Sequence, residues 1–226
     1  MNGLANGMGM PDPATLIVLL TAVALLPFIA IMATTYVKLV VVLGLVRNAL
    51  GVQNVPPNMA LNGIAIILTV YIMAPVAIAS YQAVRDRPVD TRNMESLADI
   101  ARDGAKPFLH FLERNTTPAD RAFFVDTTHR LWPKDQADSV TDHDILVLVP
   151  AFTTAELTKA FKAGFLLFLP FIVIDLIVSN ILLAMGMMMV SPMTISLPFK
   201  LFLFVIVNGW QKLIQGLVLS YAGTAG

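Results

Sequence analysis

Two ionisable side chains stand inside apolar stretches: Asp175 within Ala163 to Met185, and Lys200 within Ile195 to Leu219, which also holds Lys212. A charge at the centre of a membrane helix costs about 2.5–3.5 kcal/mol on insertion scales, so neither side chain should face lipid. Three chemistries fit such a pair. The two neutralise each other inside an assembly, line a path for small solutes, or include a catalytic acid. The last is the weakest, because an intramembrane aspartyl hydrolase needs two carboxylates. Asp175 is the only acid in the apolar halves apart from the terminal Asp12. A blander reading lets Lys200 and Lys212 snorkel to an interface while Asp175 bonds a neighbouring helix.

Other catalytic constellations are weaker still. The histidines are His110, His129 and His143, all in the polar middle of the chain. Asp142-His143-Asp144 offers ligand types, but adjacent residues cannot all converge on one ion, and a solvated loop is the simpler reading. Cysteine is absent, which removes disulfides, thiolate sites and thiol nucleophiles together. No His-Glu-x-x-His, phosphate loop or dinucleotide fingerprint occurs. The expectation is a non-enzyme with no metal and no cofactor. A net charge of zero gives no sign of a nucleic-acid-binding surface.

The run Met185-Gly186-Met187-Met188-Met189-Val190 follows the stretch that holds Asp175. Methionine is unbranched and polarizable, and a cluster of it repacks around variable shapes. A ring of loops carrying Met187, Met188 and Met189 could seal a pore around different passing chains. With 12 Met in 226 residues, an incidental cluster at a lipid-facing helix end is the plain alternative.

The elements that must position these residues follow from where charge is missing. The chain is 57% hydrophobic and 13% charged, against about 45–50% and 25% in soluble domains. Gln82 to Lys162 holds 24 of the 30 charges, and the six outside it are Asp12, Lys38, Arg47, Asp175, Lys200 and Lys212. This is an integral membrane protein with a polar insert. A bilayer core of about 30 Å takes about 20 helical residues. Leu16 to Ala33, Met59 to Ser80, Ala163 to Met185 and Ile195 to Leu219 are the candidate spans, with kinks or breaks expected at Pro27 and Pro170. The last is a poor lipid-facing helix, for Pro198, Lys200, Asn208, Gln211, Lys212 and Gln215 interrupt it. Hiding Asp175, Asn180, Lys200 and Asn208 at once argues for a multi-subunit assembly. Met1 to Pro13 carries only Asp12, so the first span reads as uncleaved rather than as a signal peptide. Lys38 and Arg47 lie between the first two spans with no acid, which puts that connection in the cytoplasm and the insert outside.

Within the insert, Asn93 to Phe111 has helical apolar spacing, interrupted by Gly104 and Pro107. Thr117-Pro118-Ala119-Asp120 reads as a helix start. That helix is expected to bury Ala122, Phe123, Val125 and Leu131 and to stop before Pro133. A polar loop, Lys134 to Asp144, comes next. Ile145 to Val149 should end at Pro150, with a helix restarting at Phe152. The predicted fold is all-α: membrane-type helical hairpins of four apolar segments, with a mainly helical soluble insert between the second and third. The domain bounds are 1–81, 82–150 and 151–226.

Two blocks resemble the bacterial type III protein-export gate family, FliP/SctR. The first contains Thr34-Thr35-Tyr36-Val37-Lys38, Val46-Arg47-Asn48-Ala49-Leu50-Gly51, Pro56-Pro57-Asn58 and Ile72-Met73-Ala74-Pro75-Val76. The second runs from Val149-Pro150-Ala151-Phe152 through Glu156-Leu157, Gly164 to Pro170, Ile174-Asp175-Leu176, Ser179-Asn180-Ile181-Leu182, Gly186-Met187-Met188-Met189 and Ser196-Leu197-Pro198-Phe199-Lys200 to Asn208-Gly209-Trp210. The resemblance covers both apolar halves and little of the insert.

It implies a pore subunit of the export apparatus in the bacterial inner membrane, with a periplasmic insert. It also implies a ring of several copies, taken as five. The implied partners are two other small export-gate membrane proteins, a large export-gate protein, the basal-body rings and the unfolded proteins that pass. Met187, Met188 and Met189 would form the gasket, and Lys38, Arg47, Asp175, Asn180, Lys200 and Asn208 would be buried or lie between subunits. The family usually has Asp where Asn208 stands, so hydrogen bonding is implied there rather than charge. The lack of a signal peptide makes the chain more injectisome-like than flagellar. A stand-alone solute channel using Asp175 and Lys200 is the alternative.

Overall fold

The computed structural model describes residues 13–52, 54–87 and 94–222. Asp12 and the reading of the first twelve residues lie outside them. The described residues form nine helices and no strand: α1 (Pro13–Met32), α2 (Tyr36–Leu50), α3 (Asn58–Val84), α4 (Met94–Arg114), α5 (Pro118–Leu131), α6 (Lys134–Ala137), α7 (Ile145–Ala184), α8 (Pro192–Ile206) and α9 (Gly209–Ala222). The protein is therefore all-α. By length and composition α3 and α7 can each cross a membrane, and up to four spans result if α1 with α2 and α8 with α9 each count as one broken span. The chain divides into two compact units, one of residues 1–34 with 73–152 and the other of 35–72 with 153–226.

The first unit is centred on Ala33, Leu112, Leu148 and Phe152, with Phe108 and Phe111 packed against them. The Phe111 and Phe152 rings lie 5.6 Å apart. Two expected interruptions are absent here. Helix α4 runs unbroken through Gly104 and Pro107. An interior proline costs about 3 kcal/mol. Full burial of Leu112, at about 1.5–3 kcal/mol, together with the partial burial of Phe108 and Phe111 offsets it. Helix α7 likewise passes through Pro150, where a stop was expected. Val147, Leu148, Ala151 and Phe152 surround that proline and are all at most 1% exposed. Arg87, after α3, reaches Asp103 of α4. The Lys106 ammonium hydrogen-bonds the same carboxylate and holds it below the usual carboxylate range.

Helix α5 starts where the residue types demand. The Asp120 amide donates to Thr117 Oγ1 at 3.2 Å and the Thr117 amide to Asp120 Oδ2 at 2.9 Å, a reciprocal cap with Pro118 in the first turn. Its buried face is not the expected one. Ala122, Phe123 and Leu131 are exposed and Val125 half-buried, whereas Arg121 and Thr128 are buried. Arg121, Val125 and Thr128 share one stripe. Arg121 meets Glu113 and Asp142 along it, and that ionic contact sets the rotation of the helix.

The second unit has a larger core, in which α2 supplies Leu39, Val42, Leu43, Val46, Ala49 and Leu50. The connection carrying Lys38 and Arg47 is thus itself a helix, with an apolar stripe at helical spacing. Leu61 and Ala65 of α3, Ala160 and Phe171 of α7, Phe204 of α8, and Leu213 and Leu217 of α9 complete this core. Gly51, at φ 76°, ends α2 in the left-handed region. Arg47 in the last turn of α2 donates to Asn58 Oδ1 at 2.5 Å and to the Pro56 carbonyl at 3.3 Å, fixing the corner into α3.

The fourth apolar stretch is broken. Helices α8 and α9 meet at 60°, and Asn208 at the corner has φ 54°. Directly after it, a Cβ on Gly209 would stand 2.3 Å from the Phe204 ring, which stacks edge-on against Trp210 at 5.4 Å. Gly209→Ala should therefore lower stability by about 1–3 kcal/mol through overpacking. Gly216 faces open space, so Gly216→Ala should be neutral or slightly stabilising. Thermal unfolding midpoints of the detergent-extracted variants check this, and equal midpoints would refute the tight fit at Gly209.

Candidate functional site

The second unit holds two ionic clusters under its apolar surface. In the first, Lys200 Nζ lies 2.6 Å from Asp175 Oδ2, and Ser196 Oγ donates to Asp175 Oδ1 at 2.6 Å. Lys200 also approaches the Ala49 carbonyl at 3.4 Å. Ser196 and Lys200 are one turn apart on α8 and almost fully buried, at 0% and 2% exposure. The Asp175 side chain, on α7, is 35% exposed. Both carboxylate oxygens are occupied, and the partners are a hydroxyl and an ammonium rather than a second carboxylate. The result is a neutral clamp between α7 and α8 and lacks the two-acid arrangement of a hydrolase.

The second cluster centres on Glu156 of α7, which is fully buried. The Tyr221 hydroxyl of α9 donates to its Oε2. Lys159 donates to its Oε1 at 2.8 Å, and Lys38 Nζ of α2 stands 3.8 Å from Oε2. Lys38 donates to Ser220 Oγ at 2.8 Å and sits 4.2 Å from the centroid of the Tyr221 ring, a cation–π contact. Three helices thus meet at one carboxylate. By charge count Glu156 belongs with the polar insert; the family resemblance includes it with Leu157 but implies no role for it, and nothing in the sequence singles out Tyr221. The available signal is Lys38, a lone cation in an apolar run that requires a buried acid somewhere in the chain.

The remaining candidate residues lie elsewhere. Arg47 is half-buried at the α2–α3 corner, Asn180 is exposed on α7, and Asn208 is exposed at the α8–α9 corner. Lys38 belongs to the Glu156 cluster and not to the Asp175–Lys200 pair.

The methionine run forms the loop between α7 and α8. Gly186, at φ 73°, closes α7: its amide donates to the Leu183 carbonyl at 3.0 Å and the Met187 amide to the Leu182 carbonyl at 2.9 Å. This paired C-terminal cap needs a left-handed residue, which glycine supplies without steric cost. Beyond it the side chains project outward, with Met187 48%, Met188 80% and Met189 100% exposed.

Among the described residues, no group of three or more His, Asp or Glu side chains could hold a metal ion. Comparison with known proteins gives a consistent picture. A family model described as the FliP family matches residues 19–217. The Yop proteins translocation protein R of Yersinia pestis is 54% identical over 214 residues, covering 95% of this chain and 99% of that protein. The hypersensitivity response secretion protein HrcR of Ralstonia nicotianae is 49% identical, covering 92% and 97%. The virulence protein YscR of Salmonella typhimurium is 43% identical, covering 95% and 100%.

Proposed function

Because this chain belongs to the FliP family, and to its injectisome-type branch, we infer that it is a pore-forming subunit through which unfolded proteins leave the cell. At the coarser level it is a component of the type III secretion export apparatus, an inner-membrane protein that works with other secretion proteins and has a structural rather than a catalytic role. The finer reading is a ring of five copies with two small sister subunits, resting against a large export-gate protein and the basal-body rings. In it, Met187, Met188 and Met189 close the lumen as a deformable seal.

The observation that carries this reading is the exposure of the methionine loop. Three consecutive thioether side chains stand clear of the fold on a glycine-capped turn. Burial in its own chain does not account for them, whereas a ring of copies bringing such loops together would bury them against one another. The mutual neutralisation of Asp175 and Lys200 favours a clamp over a solute path. The insert is assigned to the periplasm. Lys38 is consumed inside the Glu156 cluster, so the charge argument for that orientation rests on Arg47.

Replacing Met187, Met188 and Met189 together by Ala should let small molecules leak through the assembled complex while its mass stays unchanged. Dye flux across vesicles holding the purified complex reads this out. A triple variant that assembles and stays as tight as the parent would sink the seal.

A further inference from the structure

The charges of the second unit do not balance from within. Residues 35–72 and 153–226 hold six cations, Lys38, Arg47, Lys159, Lys162, Lys200 and Lys212, against two acids, Glu156 and Asp175, a net charge of +4. Glu156 is shared by Lys38 and Lys159, and Asp175 is held by Lys200. Lys212, within the fourth apolar stretch, meets no acid among the described residues. A lysine in such a stretch needs a counter-charge, and both acids of its unit are already taken.

Lys212 also borders a groove of about 350 Å³ that is otherwise apolar. Val46 of α2, Leu167 and Pro170 of α7, Leu203 of α8 and Val207 at the α8–α9 corner help to line it, and Lys212 of α9 is its only charged residue. The volume lies within the roughly 300–1,000 Å³ of ordinary ligand sites. The groove opens outward: Leu167 is 37% and Val207 39% exposed, and Lys212 is exposed as well. A lysine stem packs along apolar surface while its ammonium reaches for water or an anion. An apolar trough edged by one ammonium fits an anion joined to a hydrocarbon chain.

We propose that this groove holds one anionic phospholipid, with an acyl chain along Val46, Leu167 and Val207 and the headgroup phosphate on Lys212. Two observations favour a lipid over a second copy or another protein. The unit's excess of positive charge calls for negative charge from outside, and the groove beside the unpaired cation offers nothing but hydrocarbon surface. A phospholipid brings the anion and the chain in one molecule, and basic pockets between membrane helices are ordinary sites for anionic headgroups. Four helices line the groove, so a lipid seated in it ties the α8–α9 corner to α2 and α7. The proposal rests on the membrane location and not on the pore reading, so lipid affinity and dye flux fail separately.

Native mass spectrometry of the detergent-extracted full-length complex measures the affinity of the first bound lipid, with phosphatidylglycerol and phosphatidylcholine of the same chains as probes. Phosphatidylglycerol should bind about fivefold tighter, the effect of one lysine beside an anionic headgroup. Lys212→Gln should abolish that difference and Lys212→Arg should keep it. Lys162→Gln, on an exposed cation of α7 outside the groove, should leave it intact. Val207→Trp, which fills the groove, should weaken both lipids. Glycerol phosphate, the anion without the chain, should not displace the bound lipid. Equal affinities in the parent, a preference that survives Lys212→Gln, or an equal loss in Lys162→Gln overturns the proposal. So does uptake of neither lipid, the result expected if a second copy or another protein covers the groove. Lys212 is exposed, so its glutamine variant should fold.

Discussion

Glu156→Ala should leave little folded protein. The carboxylate is fully buried, and Lys38 beside it is 6% exposed, so the substitution strands an ammonium under the surface with only Ser220 and the Tyr221 ring for company. Removing one partner of a buried ion pair costs about 3–5 kcal/mol, a large share of the roughly 5–15 kcal/mol that holds a typical domain together. Lys159 adds little to that figure, because its side chain is 42% exposed and its pairing is screened by solvent. Glu156→Gln keeps the shape and an acceptor for Tyr221, so it should be milder than the alanine variant. Adding Lys38→Met to Glu156→Gln should recover part of the loss, since both charges then leave together. The yield and thermal midpoint of detergent-extracted protein measure each step. A Glu156→Ala variant that melts like the parent would show that the buried carboxylate does not hold the three helices.

At the other cluster the two single variants should differ, and their order is the informative part. Asp175→Leu strands Lys200, whose side chain is 3% exposed, and should cost about 3–5 kcal/mol. Lys200→Met strands Asp175, which is 35% exposed and keeps its bond from Ser196, so it should fall at or below the lower end, about 3 kcal/mol. The double variant should be less harmful than Asp175→Leu alone. A double-mutant cycle should show coupling of at least about 1 kcal/mol. Additive losses would mean that the two side chains do not depend on each other, and the reverse order would mean that the aspartate is the less hydrated partner.

How much of this is legible in the sequence depends on how local the cause is. The all-α class, the apolar helices and the cap at Thr117 and Asp120 follow from periodicity and from residue types three apart. The buried face of α5 does not, because Arg121 selects it by reaching Asp142, twenty-one positions further on. Helix α2 is hidden for a different reason: its stripe of Leu39, Val42, Leu43 and Val46 reads equally well as the tail of a membrane span. Pro150 and Pro107 mark stops by local rules, and tertiary burial of their neighbours overrides them. For the buried charges, the cost argument shows that Asp175 and Lys200 need partners. It cannot name Ser196, nor find Glu156, whose own helix neighbours look like ordinary polar sequence.

Helix α7 carries both clusters, with Glu156 and Asp175 nineteen residues apart on its 40-residue length. At 1.5 Å and 100° per residue they are separated by roughly 28 Å along the axis and roughly 100° around it. A rod pinned at two heights and two azimuths behaves as a keyed shaft. It cannot roll without tearing one ionic contact, nor slide without shearing both. Torque applied anywhere along this stretch of α7 therefore passes to α2, α8 and α9 as one body, and compliance is left to the glycine-capped methionine loop at its end.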